Sequence, residues 1–239
     1  MIDTILFKLT IFLILGCMAN VSDKPQSTMN LPLKRKLDSI MVLDQKYRED
    51  LVLLMSSGNE DYLSKKYHVS KNILKQTLWK KQNTIDSANI IYIAAVIRKY
   101  GYPGKSLVGS PSNESAYYVI QHSSKIGKYI RTIETAAKKN ELPFHLFAMM
   151  EDRFLIDTNK EQIYGTQATF ITLNGGAVKY VIWPIKDPLH VNELRKNAGF
   201  ELTVEQNAER LGVSFKVIGY LKFKKRNSAS KSLRTAKVK

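Results

Sequence analysis

The chain has 239 residues, enough for one medium domain with appendages, and its 44% hydrophobic and 10% aromatic content is that of a polypeptide that buries a core. A formal net charge of +16 excludes neither folding nor export, but it makes anionic partners such as phospholipid head groups or polyanions electrostatically favourable. The charge is uneven. Eight basic residues and no acidic one lie between Lys222 and Lys239, in a serine-rich stretch too weakly hydrophobic to order itself.

At the N-terminus, Lys8 is followed by the apolar run Leu9–Leu15, then Gly16 and Cys17, the only cysteine. A short apolar run behind a positive charge and closed by a small residue is the pattern of a signal peptide, and it is too short for the about twenty residues that span a bilayer. Ile14-Leu15-Gly16-Cys17 resembles the lipobox of bacterial lipoproteins, which implies cleavage after residue 16, acylation of Cys17 and attachment to a membrane of the cell envelope. Two acyl chains suffice for stable anchoring. With Cys17 so used, no thiol remains for a disulfide or for cysteine catalysis. Residues 17–31, polar and holding Pro25, read as a tether.

The domain is expected over 32–215. Apolar residues recur at helical spacing from Leu33 to Met55, and Asp61 to Gln82 reads as one or two further helices. Thr84 or Asp86 is a candidate cap for a helix to Tyr100, whose centre, Ile90 to Ile97, is apolar on all sides and predicts burial; Gly101 ends it. Pro103 to Pro111 reads as a loop. Ser112 is a candidate cap for a helix holding Tyr117 to Ile120, a further helix spans Ile126 to Lys139, and Pro143 suits the first turn of a helix through Leu155. The period then changes: Thr166–Leu173 and Ala177–Trp183 flank Asn174-Gly175-Gly176, predicting a β-hairpin over 166–183. Asp187-Pro188 restarts a helix, and a last one covers Val204 to Leu211, ahead of a basic tail, 216–239, expected to be disordered. The fold class is mostly α, a compact helical domain with one small β-hairpin, preceded by a signal peptide.

Gly101-Tyr-Pro-Gly104-Lys105-Ser106 is no phosphate loop, because two residues rather than four separate the glycines and a helix rather than a strand precedes them. His68, His122, His145 and His190 have no metal-ligand spacing, and neither a metal nor a cofactor is expected. Leu63 to Leu78 has the apolar spacing of a helix-turn-helix, with Lys71, Lys75 and Gln76 toward a groove, but His68 stands where the turn favours glycine. Nucleic acid is the least favoured partner, since an exported protein meets no promoter.

The polar residues that interrupt apolar runs are the candidate site: Gln121-His122, Glu151-Asp152-Arg153, and Gln162, Tyr164 and Gln167 around Gly165. Buried groups of this kind must pair or hydrogen-bond, so they converge on a ligand cleft or form an internal network bracing the hairpin. As a ligand site, Gln121, His122, Arg153, Tyr164 and Gln167 bind a small polar or peptide-like molecule. As a hydrolase site, His122 is the base, Asp152 orients it, and Arg153 or Gln167 holds substrate. The third reading is DNA binding through 63–78.

At these residues the chain resembles an uncharacterised bacterial family, a domain of unknown function. The resemblance spans about Asp44 to Gly199 and rests on Asp44 with Arg48, Asn89, Gln121-His122, Asp152-Arg153, Gln162-x-Tyr-Gly-Thr-Gln167, and Asp187-Pro188 with Arg195. Tyr102 departs from the family's usual tryptophan. The resemblance implies no reaction; it marks the same polar positions as the burial argument.

Overall fold

The structure is a computed structural model that describes residues 29–55, 58–172 and 177–213, with 215, 219 and 223. The expected signal peptide, Cys17, most of the tether, the Asn174–Gly176 turn and nearly all of the basic tail lie outside the described residues.

The chain is mostly α, with one two-stranded antiparallel hairpin. Helix α1, Leu31–Met55, starts where Asn30 Oδ1 accepts the Leu33 amide, satisfying one of the donors that a helix start leaves over. Its buried stripe is Leu33, Leu37, Ile40, Asp44 and Leu51. Helix α2, Glu60–Tyr67, ends at His68 in the left-handed region, φ 52°, and α3 runs unbroken from Lys71 to Tyr100. The caps expected at Thr84 and Asp86 are overridden: Thr84 Oγ1 bonds back to the Lys80 carbonyl, and Asp86 sits mid-helix against Arg48. Burial along α3 also differs from the expectation. Packing against α1 covers one face, Asn89, Ile93 and Val96, and leaves Ile91 72% exposed. An apolar run marks how much surface is available for burial, and neighbouring elements decide which part of it is covered.

Between α3 and the next long helices, the expected loop holds a one-turn helix α4, Lys105–Val108. Ser112 opens a 3-10 turn, Ser112–Glu114, rather than capping α5, Ser115–Gln121; its hydroxyl donates to Asp38 instead. Helix α6, Ile126–Lys138, turns Ile126, Tyr129, Ile133 and Ala137 to the core, and α7, Phe144–Asp157, packs along it with Pro143 as its cap. The largest core joins α1, α3, α5, α6 and α7 around fully buried Leu37, Ile93, Tyr117, Ile120 and Met150. Leu51, Leu63, Leu74 and Leu78 form a smaller one where α2 closes on α1 and α3.

Strands β1, Ala168–Thr172, and β2, Val178–Ile182, pair with Phe170 opposite Tyr180, the exposed Phe170 ring stacked at 4.5 Å on the half-buried Tyr180 ring. Ile171, Val181 and Trp183 pack on Phe223, which lies within the segment read as a disordered tail. Helix α8, Val191–Asn197, begins after His190 rather than at Pro188, because Asp187 accepts the His190 amide and ring across the preceding turn. Helix α9, Val204–Arg210, has a capping box, with Thr203 and Gln206 bonding each other's backbone amides. Ile182, Ile185, Val191, Val204 and Ala208 form the core beneath the hairpin.

Helix α2 is also fastened by charge: Asp50 on α1 accepts from Lys66 at 2.8 Å and from the Tyr67 hydroxyl. Burial pushes the Asp50 carboxyl up, but the bonds from Lys66 and Tyr67 and the Lys66 charge outweigh it and leave the carboxyl below its ordinary value. A depressed carboxylate stabilises the fold above its unfolded pKa, and that contribution is lost as pH falls through the folded value. Acidification below about pH 4 is therefore expected to loosen α2 before the main core. Asp50→Asn abolishes this pH step, read as amide exchange in residues 60–69 against pH.

Candidate functional site

The candidate residues separate into two polar clusters, and no hydrogen bond or ion pair among the described residues joins them.

The first sits where α1, α3 and α5 meet. His122 Nδ1 lies 2.9 and 3.2 Å from the two carboxylate oxygens of Asp44, which is fully buried. Asp44 also accepts from Gln45 Nε2 at 2.6 Å, and its backbone carbonyl receives Arg48 and Gln82. Arg48 makes a two-pronged pair with Asp86, at 3.0 and 2.7 Å, and Gln82 donates to the same carboxylate. The spacing explains the assembly: 44 and 48 are one turn apart on α1, as are 82 and 86 on α3, so both pairs face each other across the helix seam. A two-pronged guanidinium–carboxylate contact fixes geometry as well as charge.

The imidazole is held at its inner nitrogen. In the neutral ring, Asp44 keeps the proton on Nδ1, leaving Nε2 as an acceptor with no protein partner among the described residues. The His122 side chain is 19% exposed. Beside it, the buried Gln121 Oε1 has no hydrogen-bond partner among the described residues, and neither has Asn89 Nδ2, one turn along α3 from Asp86. Buried polar atoms are rarely left unpaired without a reason.

The second cluster holds the hairpin entrance. Asp152, fully buried on α7, accepts the amides of Ile163 (2.7 Å), Tyr164 (3.0 Å) and Thr166 (3.0 Å) and the Thr166 hydroxyl (2.9 Å). Burial pushes its carboxyl above the ordinary range, and these four donors pull the other way. Gln162 bonds the Gln167 amide and carbonyl and the Trp183 carbonyl, tying both strands at their base. From the opposite side, Arg195 Nη1 donates to the Tyr164 carbonyl and Asn207 Nδ2 to that of Gly165. The loop is thus clamped with its amides on an acid and its carbonyls on a cation and an amide. Tyr164 is buried, and its hydroxyl is pushed up to about 12 by burial and by the charges of Glu151 and Asp152. Burial and the Asp152 charge likewise raise the half-buried Glu151.

The structure corrects the expected partnership of His122 with Asp152. The carboxylate that orients His122 is Asp44, because the Asp152 oxygens are occupied by the 163–166 backbone. Arg153 is exposed, and its charge acts on the Tyr117 hydroxyl. Gln167 belongs to the hairpin clamp, its side chain on Thr166. Asp86 and Gln82 were passed over in the sequence: Asp86 read as a helix cap, and Gln82 as a helix end. Their signal, a four-residue spacing of polar groups facing the Asp44/Arg48 spacing, is intelligible only once α1 and α3 are known to pair. In the helix-turn-helix segment, Lys71 pairs with Asp61 at 2.7 Å while Lys75 and Gln76 are exposed. Among the described residues, no group of three or more His, Cys, Asp or Glu side chains is placed to hold a metal ion.

A family model matches residues 74–211, more than half of the chain. The chain belongs to the family of unknown function DUF6624. The DUF6624 segment holds Gln82, Asp86, His122 and the whole second cluster, whereas Asp44 and Arg48 precede it. No curated protein and no solved structure matches the chain.

Gly165 has φ +66°, and a Cβ there would meet Val204 Cγ2 at 2.5 Å and Ile185 Cδ1 at 2.9 Å. Gly165→Ala is expected to cost about 1–3 kcal/mol from backbone strain alone. Asp152→Ala strands four donors, three of them in buried bonds, and is expected to cost more, on the order of 3–5 kcal/mol. Urea denaturation of both variants checks the order.

Proposed function

We propose that the chain is a lipid-anchored protein of the cell envelope whose helical domain binds a small polar or peptide-like ligand at His122. The observation that carries the site is the imidazole fixed through Nδ1 by the fully buried Asp44, with Nε2 unengaged and the side chain still open to solvent. The unpartnered Gln121 Oε1, on the residue next to His122, supports the reading, since buried polar atoms are rarely left unpaired without a reason. The envelope part rests on the leader from Lys8 to Cys17. Among the described residues no helix is long and apolar enough to cross a membrane, so attachment in this reading comes from acyl chains on Cys17.

One observation favours a second reading, a hydrolase. A carboxylate that orients an imidazole through its inner nitrogen is also the arrangement of a general base, and Asp44 stands where the base's orienting partner belongs. In that reading a water molecule activated by Nε2 is the nucleophile.

Metabolic labelling with palmitate tests the anchor: the wild-type chain is expected in the membrane fraction with label, and Cys17→Ser in the soluble fraction without it. An unlabelled, soluble wild-type protein contradicts the envelope reading. For the site, thermal shift against a library of dipeptides and small polar metabolites is expected to yield ligands whose affinity falls at least about tenfold, or 1.4 kcal/mol, in His122→Gln. His122→Gln and Asp44→Asn separate the two readings. A bound molecule that is consumed, with turnover lowered about 10²–10⁴-fold in both variants, establishes the hydrolase. Ligands bound equally well by wild type and His122→Gln remove His122 from the site.

A further inference from the structure

The carbonyl side of the 162–167 loop faces a cleft of about 370 Å³ between α7, α8, α9 and the 199–202 turn. That volume is within the range of small-ligand sites. In its wall stands Arg195, 3% exposed. Nε donates to the Leu202 carbonyl at 2.8 Å and Nη1 to the Tyr164 carbonyl at 2.7 Å, and the Phe200 ring lies 4.6 Å from the guanidinium carbon. Two of the five N–H donors are thereby engaged, and both acceptors are neutral. Among the described residues no carboxylate comes within 4.0 Å of Arg195 to form an ion pair. The charges of Asp152 and Glu205 reach it only from a distance, and burial still disfavours the charged guanidinium, so a carboxylate in direct contact would offset that cost.

A second guanidinium shares the cleft. Arg210 is exposed, and its Nη2 donates to Asn207 Oδ1 at 2.9 Å, which holds it at the rim. Asn207 is itself fixed by its bond to the Gly165 carbonyl, so both arginines are positioned by the same loop. Two like charges on one cleft repel, and an anion between them offsets the repulsion. The remaining wall decides which anion. Phe200, Met149 and Leu202 offer apolar surface that a bare inorganic ion would leave unused. Glu201, exposed on the same rim, disfavours a second negative charge.

We propose that this cleft binds a monocarboxylate joined to an apolar group, with the carboxylate on Arg195 and Arg210 and the apolar part against Phe200 and Met149. Such a carboxylate is found at the C-terminus of a peptide and in a free aryl or alkyl acid. The site is separate from His122 and does not depend on its role.

Calorimetry and amide chemical shifts on the full chain, with 3-phenylpropionate, N-acetylphenylalanine, N-acetylphenylalanine amide and inorganic phosphate as probes, test the proposal. Both acids are expected to bind saturably and to shift the amides of 145 and 199–202, while the amide derivative does not bind. N-acetylphenylalanine binding more tightly than phenylpropionate assigns a peptide C-terminus, and equal binding assigns a free acid. Arg195 also braces the fold, so Arg210→Gln is the informative variant. It should weaken the acids at least about tenfold with an unchanged melting temperature, and His122→Gln should leave them unaffected. The proposal is overturned if neither acid binds saturably in the millimolar range, if the amide derivative binds as well as the acid, if phosphate binds more tightly than both acids, or if Arg210→Gln leaves affinity unchanged.

Discussion

The Asp152 carboxylate is the interaction on which the C-terminal half of the molecule depends. An irregular turn such as 163–166 has backbone amides with no ladder or helix to receive them, and inside a protein each of these would carry a desolvation penalty. One side chain from α7 receives three of them together with a hydroxyl. The turn can then be buried, Gly165 can pass beneath Val204 and Ile185, and the strands leave the loop in a fixed direction. Arg195 and Asn207 complete the clamp from the carbonyl side. Acid and cation do not touch; the peptide groups lie between them and transmit the attraction as polarised hydrogen bonds.

A similar economy governs the N-terminal half. Asp44, Arg48, Gln82 and Asp86 fill a seam between two long helices that apolar side chains occupy elsewhere. A network of this kind adds little to stability beyond what packing would give, since desolvation offsets much of its attraction. Its effect is to fix the register of α1 on α3, and with it the direction in which Asp44 presents to His122. The ring is oriented by helix packing rather than by its own short helix, α5.

Much of this architecture was legible in the chain because its signals are local. The helical spacing from Leu33 to Met55, the glycine that ends α3 and the Asn174-Gly175-Gly176 motif between the strands each need only neighbouring residues. The hairpin itself lies within the expected 166–183. The long α3 was less legible: Thr84 and Asp86 are good caps in isolation, and only the packed α1, with Arg48 waiting for a carboxylate, keeps the helix running through them. The candidate residues followed the same rule. Their polar character amid apolar runs identified Asp152, Gln162 and His122 as groups needing partners. Which partners they take depends on contacts spanning up to 78 positions in the chain, as for Asp44 and His122. Spacing carries no information about such pairs. Of the two alternatives, a cleft or an internal network, the residues around Asp152 form a network bracing the hairpin, while His122 stands apart from them against Asp44.

Amide hydrogen exchange at Ile163, Tyr164 and Thr166 tests the central claim most directly. These residues lie outside any helix or strand, so ordinary loop behaviour would make their amides exchange readily. If the Asp152 carboxylate holds them, they exchange as slowly as the core amides of α7 in the wild-type chain and lose that protection in Asp152→Asn while α6 and α7 keep theirs. Exchange of all three in the wild type at the rate of an unprotected loop would contradict the account.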